Sequence, residues 1–292
     1  MGGFIVPQCY SSCVPAITSR QNPIVARFRA VARGDRPDEL LLDGVHLVTE
    51  AIAAGIRIRE VAVIGGWPGD RDAGDSRAID GGENLAGRLR RLNVPVTTAS
   101  AAVMHALSPV QSSSPVVAIA ERPVDAATRD SRASRIYGGI PLVLVALDVQ
   151  DPGNVGAIVR VAEAGGASGV VCAGACADPF GWKALRGSMG SALRLPLLVH
   201  RDTREAIDEA RRRGCRIVAT APRAGRPLFD ADLRGPIAVL IGGEGSGLAA
   251  SQLEDADERM TIPMQPPVES LNAAVTAALI VYEARRQRTK EK

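Results

Sequence analysis

The second half of the chain contains short, continuously apolar segments that alternate with helix-forming segments. Residues 142–147 and 237–241 are apolar at every position. A strand of this kind needs apolar cover on both faces, which is typical of a parallel sheet whose crossover helices lie above and below it. The pattern therefore predicts an α/β fold with a parallel sheet. The predicted strands are residues 142–147, 169–172, 195–198, 216–220, 237–241 and 260–262, and the predicted helices are residues 155–164, 203–213 and 273–286.

The first half of the chain predicts a smaller unit of the same class. Strands and helices alternate over residues 16–123, which indicates a small sandwich of helices on a sheet. Residues 124–139 are polar and lack apolar periodicity, so we expect them to link this unit to a second domain at residues 140–292. Residues 1–15 are expected to be a disordered leader or a misassigned start, and the Gly- and Asp-rich residues 65–82 a surface loop. The predicted elements are strands 40–42, 60–64, 94–97 and 116–120, and helices 24–32, 44–54, 84–92 and 101–107.

Composition and cysteine usage restrict the class of protein. The chain has 292 residues, of which 46% are hydrophobic, enough for two ordinary domains with packed cores. Five widely spread cysteines argue against a disulfide framework and favour the cytoplasm. No stretch reaches the roughly 18–20 apolar residues that a membrane span requires, so no membrane association is expected. The pairs Cys9/Cys13 and Cys172/Cys176 suggest metal ligands, but the three histidines are scattered, so small thiols are favoured and no metal is expected.

The charge of the chain neither supports nor excludes a nucleic-acid partner. The formal net charge is only +3, whereas strong nucleic-acid binders often carry a larger excess. Aromatic residues make up 3% of the chain, so stacking on bases cannot be the main means of recognition, and contacts from arginine to phosphate would dominate. The arginine clusters are Arg27, Arg29, Arg33 and Arg36; Arg211, Arg212 and Arg213, for which a solvated helix face is favoured; and Arg285, Arg286 and Arg288.

Two polar segments directly follow predicted strands of the second half. The first places Asn154 and Arg160 six residues apart on the helix after residues 142–147. Asn154 suits the N-cap of that helix, and Arg160 is then a residue at the rim of an apolar helix. The second is the loop at residues 242–248, whose glycines permit close approach of backbone to a ligand and whose single carboxylate is Glu244. This loop lacks the register of a dinucleotide-binding loop, so a nicotinamide enzyme is not favoured.

The third polar segment opens the last helix. Residues 262–264 are Ile-Pro-Met, and after a proline-rich turn Ser270, Leu271 and Asn272 precede a strongly apolar helix. Unpaired backbone N–H groups and a partial positive charge gather at a helix start. Taken alone, this segment favours an ordinary N-cap over a binding role.

In this order and spacing, the three segments resemble the SpoU/TrmH family of RNA ribose 2′-O-methyltransferases. The family's first motif, Asn…Arg, matches Asn154 and Arg160, and its second, a strand followed by Gly-x-Glu-x-x-Gly-Leu, matches residues 242–248. Its third motif, Ile-Pro-Met…Ser-Leu-Asn, matches residues 262–272, and residues 186–192 are similar to a further family segment. The resemblance covers roughly half of the chain, from about residue 140 to residue 286.

The resemblance implies S-adenosylmethionine as methyl donor and a ribose 2′-hydroxyl of RNA as acceptor, with in-line displacement at the sulfonium methyl group. It also implies a deep trefoil knot in a SPOUT-type catalytic domain, a ribosomal-protein-like RNA-binding domain before it, and a homodimer with the active site near the interface. The last helix is a candidate dimer face, although a buried core helix is equally compatible. The implied catalytic residues are Asn154, Arg160, Glu244, Ser270 and Asn272, and the implied cofactor-binding residues are Thr220, Gly242, Gly243, Ile262, Met264 and Leu271.

The role of Arg160 has two interpretations. The resemblance casts it as a general base, but arginine effectively stays protonated in proteins. We favour a clamp on the target phosphate and the developing alkoxide, because a planar guanidinium suits bidentate contacts with phosphate. The resemblance further implies that Asn154, Ser270 and Asn272 hold the nucleotide and order the cofactor loop, and that Glu244 orders that loop or contacts the nucleotide.

The predicted N-terminal domain favours ribosomal RNA of the 23S type as the substrate, because relatives with a single domain more often act on tRNA. This is an argument by analogy. Two alternatives stay open. One is a tRNA ribose methyltransferase of the same fold, and the other is a non-catalytic RNA-binding or assembly factor.

Overall fold

The chain folds into two units, each built on its own sheet. We call residues 16–123 the first unit, with four strands, and residues 126–289 the second unit, with seven. The predicted leader at residues 1–15 and most of the predicted surface loop lie outside the described residues. The computed structural model describes residues 16–67, 85–110, 113–123, 126–245 and 247–289.

The elements of the first unit are α1 (Pro23–Arg33), β1 (Glu39–Asp43), α2 (Val45–Ala53), β2 (Ile58–Ile64), α3 (Leu85–Arg91), β3 (Val96–Ala99), α4 (Ala101–Leu107) and β4 (Val116–Glu121). Those of the second unit are α5 (Ala126–Ile136), β5 (Leu142–Leu147), α6 (Pro152–Gly165), β6 (Gly169–Ala173), α7 (Trp182–Ser188), α8 (Ser191–Arg194), β7 (Leu197–His200), α9 (Thr203–Arg212), β8 (Arg216–Thr220), β9 (Arg226–Pro227), β10 (Ile237–Gly242), α10 (Ala250–Glu254), β11 (Glu258–Thr261) and α11 (Ala273–Thr289). Among these helices, none is both long enough and apolar enough to cross a bilayer.

The sheet of the second unit is parallel throughout. Its strand order is β7-β6-β5-β10-β8-β11-β9, and each neighbouring pair runs in the same direction. Every residue of β5 is buried, as are all but the last of β10. The prediction of a parallel sheet from apolar runs is therefore confirmed, and the carboxyl ends of all its strands lie along one edge.

Helices cover both faces of this sheet. Leu142 and Leu144 of β5 point to the face that α6, α7 and α11 cover, whereas Val143 and Val145 point to the face that α5 and α9 cover. Alternate side chains of a strand point to opposite faces, so an apolar run fills two cores at once. The cover predicted for both faces is thus present.

The sheet of the first unit is mixed. Its order is β1-β4-β2-β3, with antiparallel pairs on both sides of β4 and a parallel pair between β2 and β3. Phe28 of α1 and Met104 of α4 are buried on one face, and Val48 of α2 and Leu89 of α3 on the other. Helices therefore lie on both faces of this sheet.

The predicted linker is largely helical, because α5 spans eleven of its residues. Ala133 and Ile136, with Tyr137 directly after the helix, are buried against the sheet face that α9 also covers. The buried side chains described for α5 lie in its last turn. The helix therefore packs against the sheet, although its sequence shows no repeating apolar period. The sequence therefore did not show the helix in this segment, and the division into two domains that it links stays a prediction.

Two short helices and one strand boundary also differ from the prediction. Helices α7 and α8 have seven and four residues. They were not predicted, because segments this short are not long enough to show a helical period of apolar residues. Strand β7 begins two residues later than predicted, directly after Pro196. A proline cannot donate to a sheet ladder, so it stands outside this strand.

Ion pairs and a cation–aromatic contact join the first unit to the second. Arg122 donates to both oxygens of Asp178, at 2.7 Å each, and its guanidinium lies 5.0 Å from the ring centre of Phe180. Glu50 of α2 pairs with Arg194 of α8. His46 of α2 also lies 3.1 Å from the carbonyl oxygen of Met189, and Trp182 of α7 packs against the core of the first unit, so the two units touch at several places.

Two glycines bring α6 close to its neighbours. A Cβ atom on Gly156 would lie 2.5 Å from the carbonyl oxygen of Ala184 in α7, and one on Gly165 would lie 2.0 Å from Cγ1 of Val281 in α11. The first neighbour is backbone, which cannot rotate away. Gly156 therefore fixes the distance between α6 and α7.

We expect Gly156→Ala to lower the free energy of unfolding by about 1–3 kcal/mol, because overpacking outweighs the gain of up to about 1 kcal/mol in helix propensity. Urea denaturation measures this change. Gly235→Ala is the control, since a Cβ atom there meets no atom within 4 Å. A Gly156→Ala protein as stable as the Gly235→Ala protein would show that α6 and α7 separate without cost.

Candidate functional site

The three predicted polar segments meet at one edge of the parallel sheet. They follow β5, β10 and β11, whose carboxyl ends share that edge. The first segment leads into α6, the second is the loop after β10, and the third leads into α11. The convergence predicted from sequence is therefore present.

Helix α6 begins three residues earlier than predicted, and Asn154 is not its N-cap. Asp151 is the cap, and its carboxylate accepts a hydrogen bond from the backbone N–H of Asn154 at 2.8 Å. Pro152 occupies the first helical position, for which its fixed φ is suited. The prediction that Asn154 caps the helix is wrong, and its side chain is consequently available to the site.

Three side chains from the three segments form one hydrogen-bonded group, which we call the amide–carboxylate joint. It consists of Asn154, Glu244 and Asn272. Asn272 Nδ2 donates to Asn154 Oδ1 at 2.9 Å and to Glu244 Oε1 at 3.3 Å. Asn154 Nδ2 donates to the same oxygen of Glu244. Hydrogen bonds to a carboxylate are stronger than those between neutral groups, so the joint holds the three segments in register.

Asn272 also caps α11. Its Oδ1 atom accepts from the backbone N–H groups of Ala274 and Val275, at 2.9 and 3.3 Å. Capping and participation in the site therefore coexist in one side chain, with the oxygen serving the helix and the nitrogen serving the joint. The predicted N-cap at this helix start is confirmed for Asn272, whereas Ser270 stands two residues before it.

A cavity of about 330 Å³ opens beside the joint. Its walls combine apolar side chains with small residues and backbone from the loop after β10. Volumes of this size are typical of small-molecule sites. The lining residues are Thr220, Ala221, Pro222, Gly243, Glu244, Gly245, Gly247, Met260, Ile262, Met264, Ser270, Leu271, Asn272, Ala273, Thr276 and Ile280.

Most of the predicted site residues line this cavity. Among the predicted catalytic residues, Glu244, Ser270 and Asn272 line it, and Asn154 reaches it through the joint. The Thr220 hydroxyl additionally donates to the carbonyl of Leu240 at 2.9 Å, which ties β8 to β10. The predicted cofactor-binding residues in the lining are Thr220, Gly243, Ile262, Met264 and Leu271.

Gly242 and Arg160 stand apart from the cavity. A Cβ atom on Gly242 would lie 2.4 Å from the carbonyl carbon of Gly247, so Gly242 allows the loop to fold back on itself and does not line the cavity. Arg160 is exposed on α6 and, within the described part of the chain, forms no hydrogen bond or ion pair. Its guanidinium is therefore available to a partner from solution.

The sequence analysis missed several lining residues. Ala221 and Pro222 directly follow β8, and Thr276 and Ile280 lie on the first turns of α11. A signal for the first pair was present, since β8 is a parallel strand and ligands bind beyond the carboxyl ends of such strands. No sequence signal distinguishes Thr276 and Ile280 from ordinary residues of an apolar helix.

The arginine cluster near the end of the chain is structural. Arg288 donates to four backbone carbonyls, Arg285 to the carbonyl of Ala164, and Arg286 to Glu283. Arg285 and Arg288 therefore hold α11 to other segments of the chain, whereas Arg286 forms its ion pair within the exposed side of α11.

The arginines near the start also have partners, with one exception. Arg27 pairs with Glu39 and Glu60, Arg29 donates to a backbone carbonyl, and Arg33 pairs with Asp35. In the ranges that the structure describes, Arg36 has no such partner.

The cysteine pair of the second unit lies at the carboxyl end of β6. The hydrogen bond that the Cys172 thiol donates to Cys176, together with burial, raises the pKa of Cys172, which holds that thiol protonated at neutral pH. A zinc ligand would need the thiolate. No cluster of three or more potential metal-ligating side chains occurs among the residues that were described.

Comparison with known proteins places these features in context. The profile of the SpoU rRNA methylase family matches residues 141–282. A protein of Synechocystis sp. named as an uncharacterized tRNA/rRNA methyltransferase is 33% identical over 282 residues, which cover 95% of this chain and 96% of that protein. The 23S rRNA (uridine(2479)-2′-O)-methyltransferase of Streptomyces viridochromogenes is 34% identical over 250 residues, which cover 82% of this chain and 83% of that protein. The AdoMet-bound rRNA methyltransferase from Sinorhizobium meliloti has a similar structure, with a TM-score of 0.77 and 27% identity over 93% of this chain and 97% of that one.

We expect Asn272→Ala to lower the free energy of unfolding by about 1 kcal/mol, because α11 loses its cap. Asn272→Ser keeps an oxygen that can cap the helix but removes the amide nitrogen of the joint, so it should retain most of this stability. Urea denaturation of both variants measures the two contributions separately. Equal loss in both variants would contradict the capping role and assign the stability to the joint.

Proposed function

This chain belongs to the SpoU rRNA methylase family, and from that membership we propose that it transfers the methyl group of S-adenosylmethionine to a ribose 2′-hydroxyl of 23S-type ribosomal RNA. As a member of the family it is a methyltransferase whose donor is S-adenosylmethionine. The single observation that carries the proposal is the amide–carboxylate joint, because its three residues come from three separate segments and meet at the mouth of the cavity.

The cavity fits the donor. Its volume of about 330 Å³ lies within the range of small-molecule sites, and its walls offer both apolar side chains and backbone polar groups. Ile262, Met264 and Leu271 would contact the apolar parts of the donor, and the backbone at Gly243 its polar groups. When bound, the donor supplies a methyl group that its sulfonium centre has already activated.

The residues of this chain supply positioning and charge. Since the donor is already activated, orientation of the acceptor hydroxyl accounts for much of the rate. Asn154, Ser270 and Asn272 hold the nucleotide at the cavity mouth, and Glu244 keeps both amides in place. Arg160 lies six residues, about 9 Å, further along α6 than Asn154. From there its free guanidinium binds a phosphate of the target and stabilises the developing alkoxide.

Ribosomal RNA is favoured over tRNA by a relative that resembles the chain over both units. The Streptomyces viridochromogenes protein, named for a 23S rRNA nucleotide, aligns with 82% of this chain. That alignment is too long to be confined to the second unit. We extend the proposal to the first unit as a ribosomal-protein-like RNA-binding domain, to a trefoil knot in the second, and to a cytoplasmic location, where ribosomal RNA is found.

We further propose that the chain forms a homodimer through α11. Val275, Leu279 and Tyr282 are 47%, 39% and 51% exposed, and Leu271 just before the helix is 36% exposed. Their spacing places them on one side of the helix, as a stripe that continues from the cavity wall. An apolar stripe of this kind favours burial against a second copy.

A methyl-transfer assay tests the proposed function. Purified protein and radiolabelled S-adenosylmethionine are incubated with fragments of 23S rRNA and, separately, with tRNA, and the labelled position is mapped. Label on a ribose of the 23S fragment supports the proposal. Label on tRNA alone favours the tRNA enzyme, and failure to bind S-adenosylmethionine by calorimetry favours the non-catalytic RNA-binding factor.

Arg160→Ala is expected to lower kcat by about 10²–10³ or more, with the affinity for S-adenosylmethionine unchanged, because Arg160 acts on the acceptor and lies outside the cavity. Arg160→Lys should keep part of the activity, since it retains the charge without the planar fork. Single-turnover kinetics and calorimetry measure the two effects. Arg212→Ala, which removes an exposed arginine of α9, is the control, and an Arg160→Ala enzyme of normal rate refutes the clamp.

Leu279→Glu is expected to convert the dimer to a monomer, because it places a charge in the middle of the apolar stripe. Sedimentation equilibrium of the variant and of a Val199→Glu control, altered at another exposed apolar residue, measures the effect. A monomeric parent protein, or a dimeric Leu279→Glu protein, contradicts the proposed interface.

A further inference from the structure

A groove of about 370 Å³ lies between the two units. One wall is the end of α1 and the turn that leads to β1, and it contains Arg33 and Arg36. The other wall is the segment before α7 and its first turn, and it contains Asp178, Trp182 and Lys183. The groove is therefore bounded by both units and separate from the cavity of the donor.

The acidic groups of the groove are already neutralised. Asp178 accepts both hydrogen bonds from Arg122, and Glu39 pairs with Arg27 and Arg59 at 3.1 and 2.8 Å. These carboxylates cannot also offset the remaining cations of the walls.

Two cations of the groove lack an acidic partner. In the described parts of the chain, neither Arg36 nor Lys183 forms an ion pair, and Lys183 Nζ lies 5.5 Å from the ring centre of Trp182. Arg33, by contrast, is held by Asp35 at 2.7 Å. The groove thus carries a net positive charge, contributed by one residue from each unit.

The groove leads to the candidate active site. Pro152 lines it and is the first residue of α6. Asn154, two residues later, belongs to the amide–carboxylate joint beside the donor cavity. A chain of phosphates that lies in the groove would therefore continue towards the joint.

We propose that this groove binds the phosphates of a single RNA strand that flanks the target nucleotide, with Arg36 and Lys183 as the contacting residues. This inference rests on the proposed function, since it names a further surface for the same RNA substrate. Arg36 and Lys183 are positioning residues, because they hold the strand and do not touch the reacting atoms.

Equilibrium binding of a 23S rRNA fragment over a series of salt concentrations tests the groove without requiring turnover. The double variant Arg36→Ala/Lys183→Ala should weaken binding roughly tenfold at physiological salt. It should also reduce the slope of log K against log salt by about 1.4, at about 0.7 for each lost phosphate contact with a single strand. KM for RNA should rise by a similar factor, with kcat and the affinity for S-adenosylmethionine unchanged.

The double variant Arg204→Ala/Arg212→Ala is the matched control. It removes the same charge from two exposed arginines of α9, which packs on the other face of the sheet from α6 and α7. Arg36→Lys/Lys183→Arg keeps both charges and should restore the salt slope. Because all four residues are exposed, none of the substitutions removes a buried contact.

The outcomes separate the groove from the proposed function. If the Arg36→Ala/Lys183→Ala protein matches the control in affinity, salt slope and KM, the groove is not the binding surface, even where the parent protein methylates RNA. If the parent protein transfers no methyl group but the Arg36→Ala/Lys183→Ala protein shows the expected loss of RNA affinity and of salt slope, the proposed function fails and the groove stands. A parent protein that does not bind RNA overturns both.

Discussion

One side-chain amide, that of Asn272, joins the parts of the site. Its oxygen closes the first turn of α11, and its nitrogen donates to Asn154 on α6 and to Glu244 in the loop after β10. These residues are far apart in the chain, and each is held by a different element. The amide thus turns three independent strand ends into a single surface. A residue with only a donor or only an acceptor could perform one of these tasks but not both.

The rest of the fold positions the strand ends next to that amide. A parallel sheet gathers the carboxyl ends of its strands along one edge, and its buried central strands resist displacement. Asp151 and Pro152 start α6 early enough to release Asn154 from capping. Gly156 then sets how closely α6 approaches α7. The joint is therefore positioned by backbone constraints on each side.

Sequence patterns predicted the parts of this molecule that repeat or that recur in a family. Apolar runs predicted β5, β8 and β10 because burial on both faces leaves a continuous signal, and the motifs identified the residues of the joint.

Local geometry was harder to predict from the sequence. Asn favours the N-cap position, so the sequence predicts a cap at Asn154, whereas the helix begins at Pro152 with Asp151 as its cap. Arg285, Arg286 and Arg288 form a basic cluster in the sequence, but Arg285 and Arg288 donate to carbonyls that tertiary folding brings near, and Arg286 pairs with Glu283. The helix α5 carries its described buried residues in one turn, too few to show a period.

The contacts between the two units have a consequence for how an RNA would be selected. Arg122 pairs with Asp178, Glu50 pairs with Arg194, and Trp182 packs against the core of the first unit, and three separate contacts leave little freedom for rotation. If the first unit binds one part of a folded RNA, the joint then contacts the nucleotide that lies at a fixed distance and angle from that bound part. Such a molecule selects its target nucleotide by the shape of the folded RNA and needs few contacts with the bases themselves.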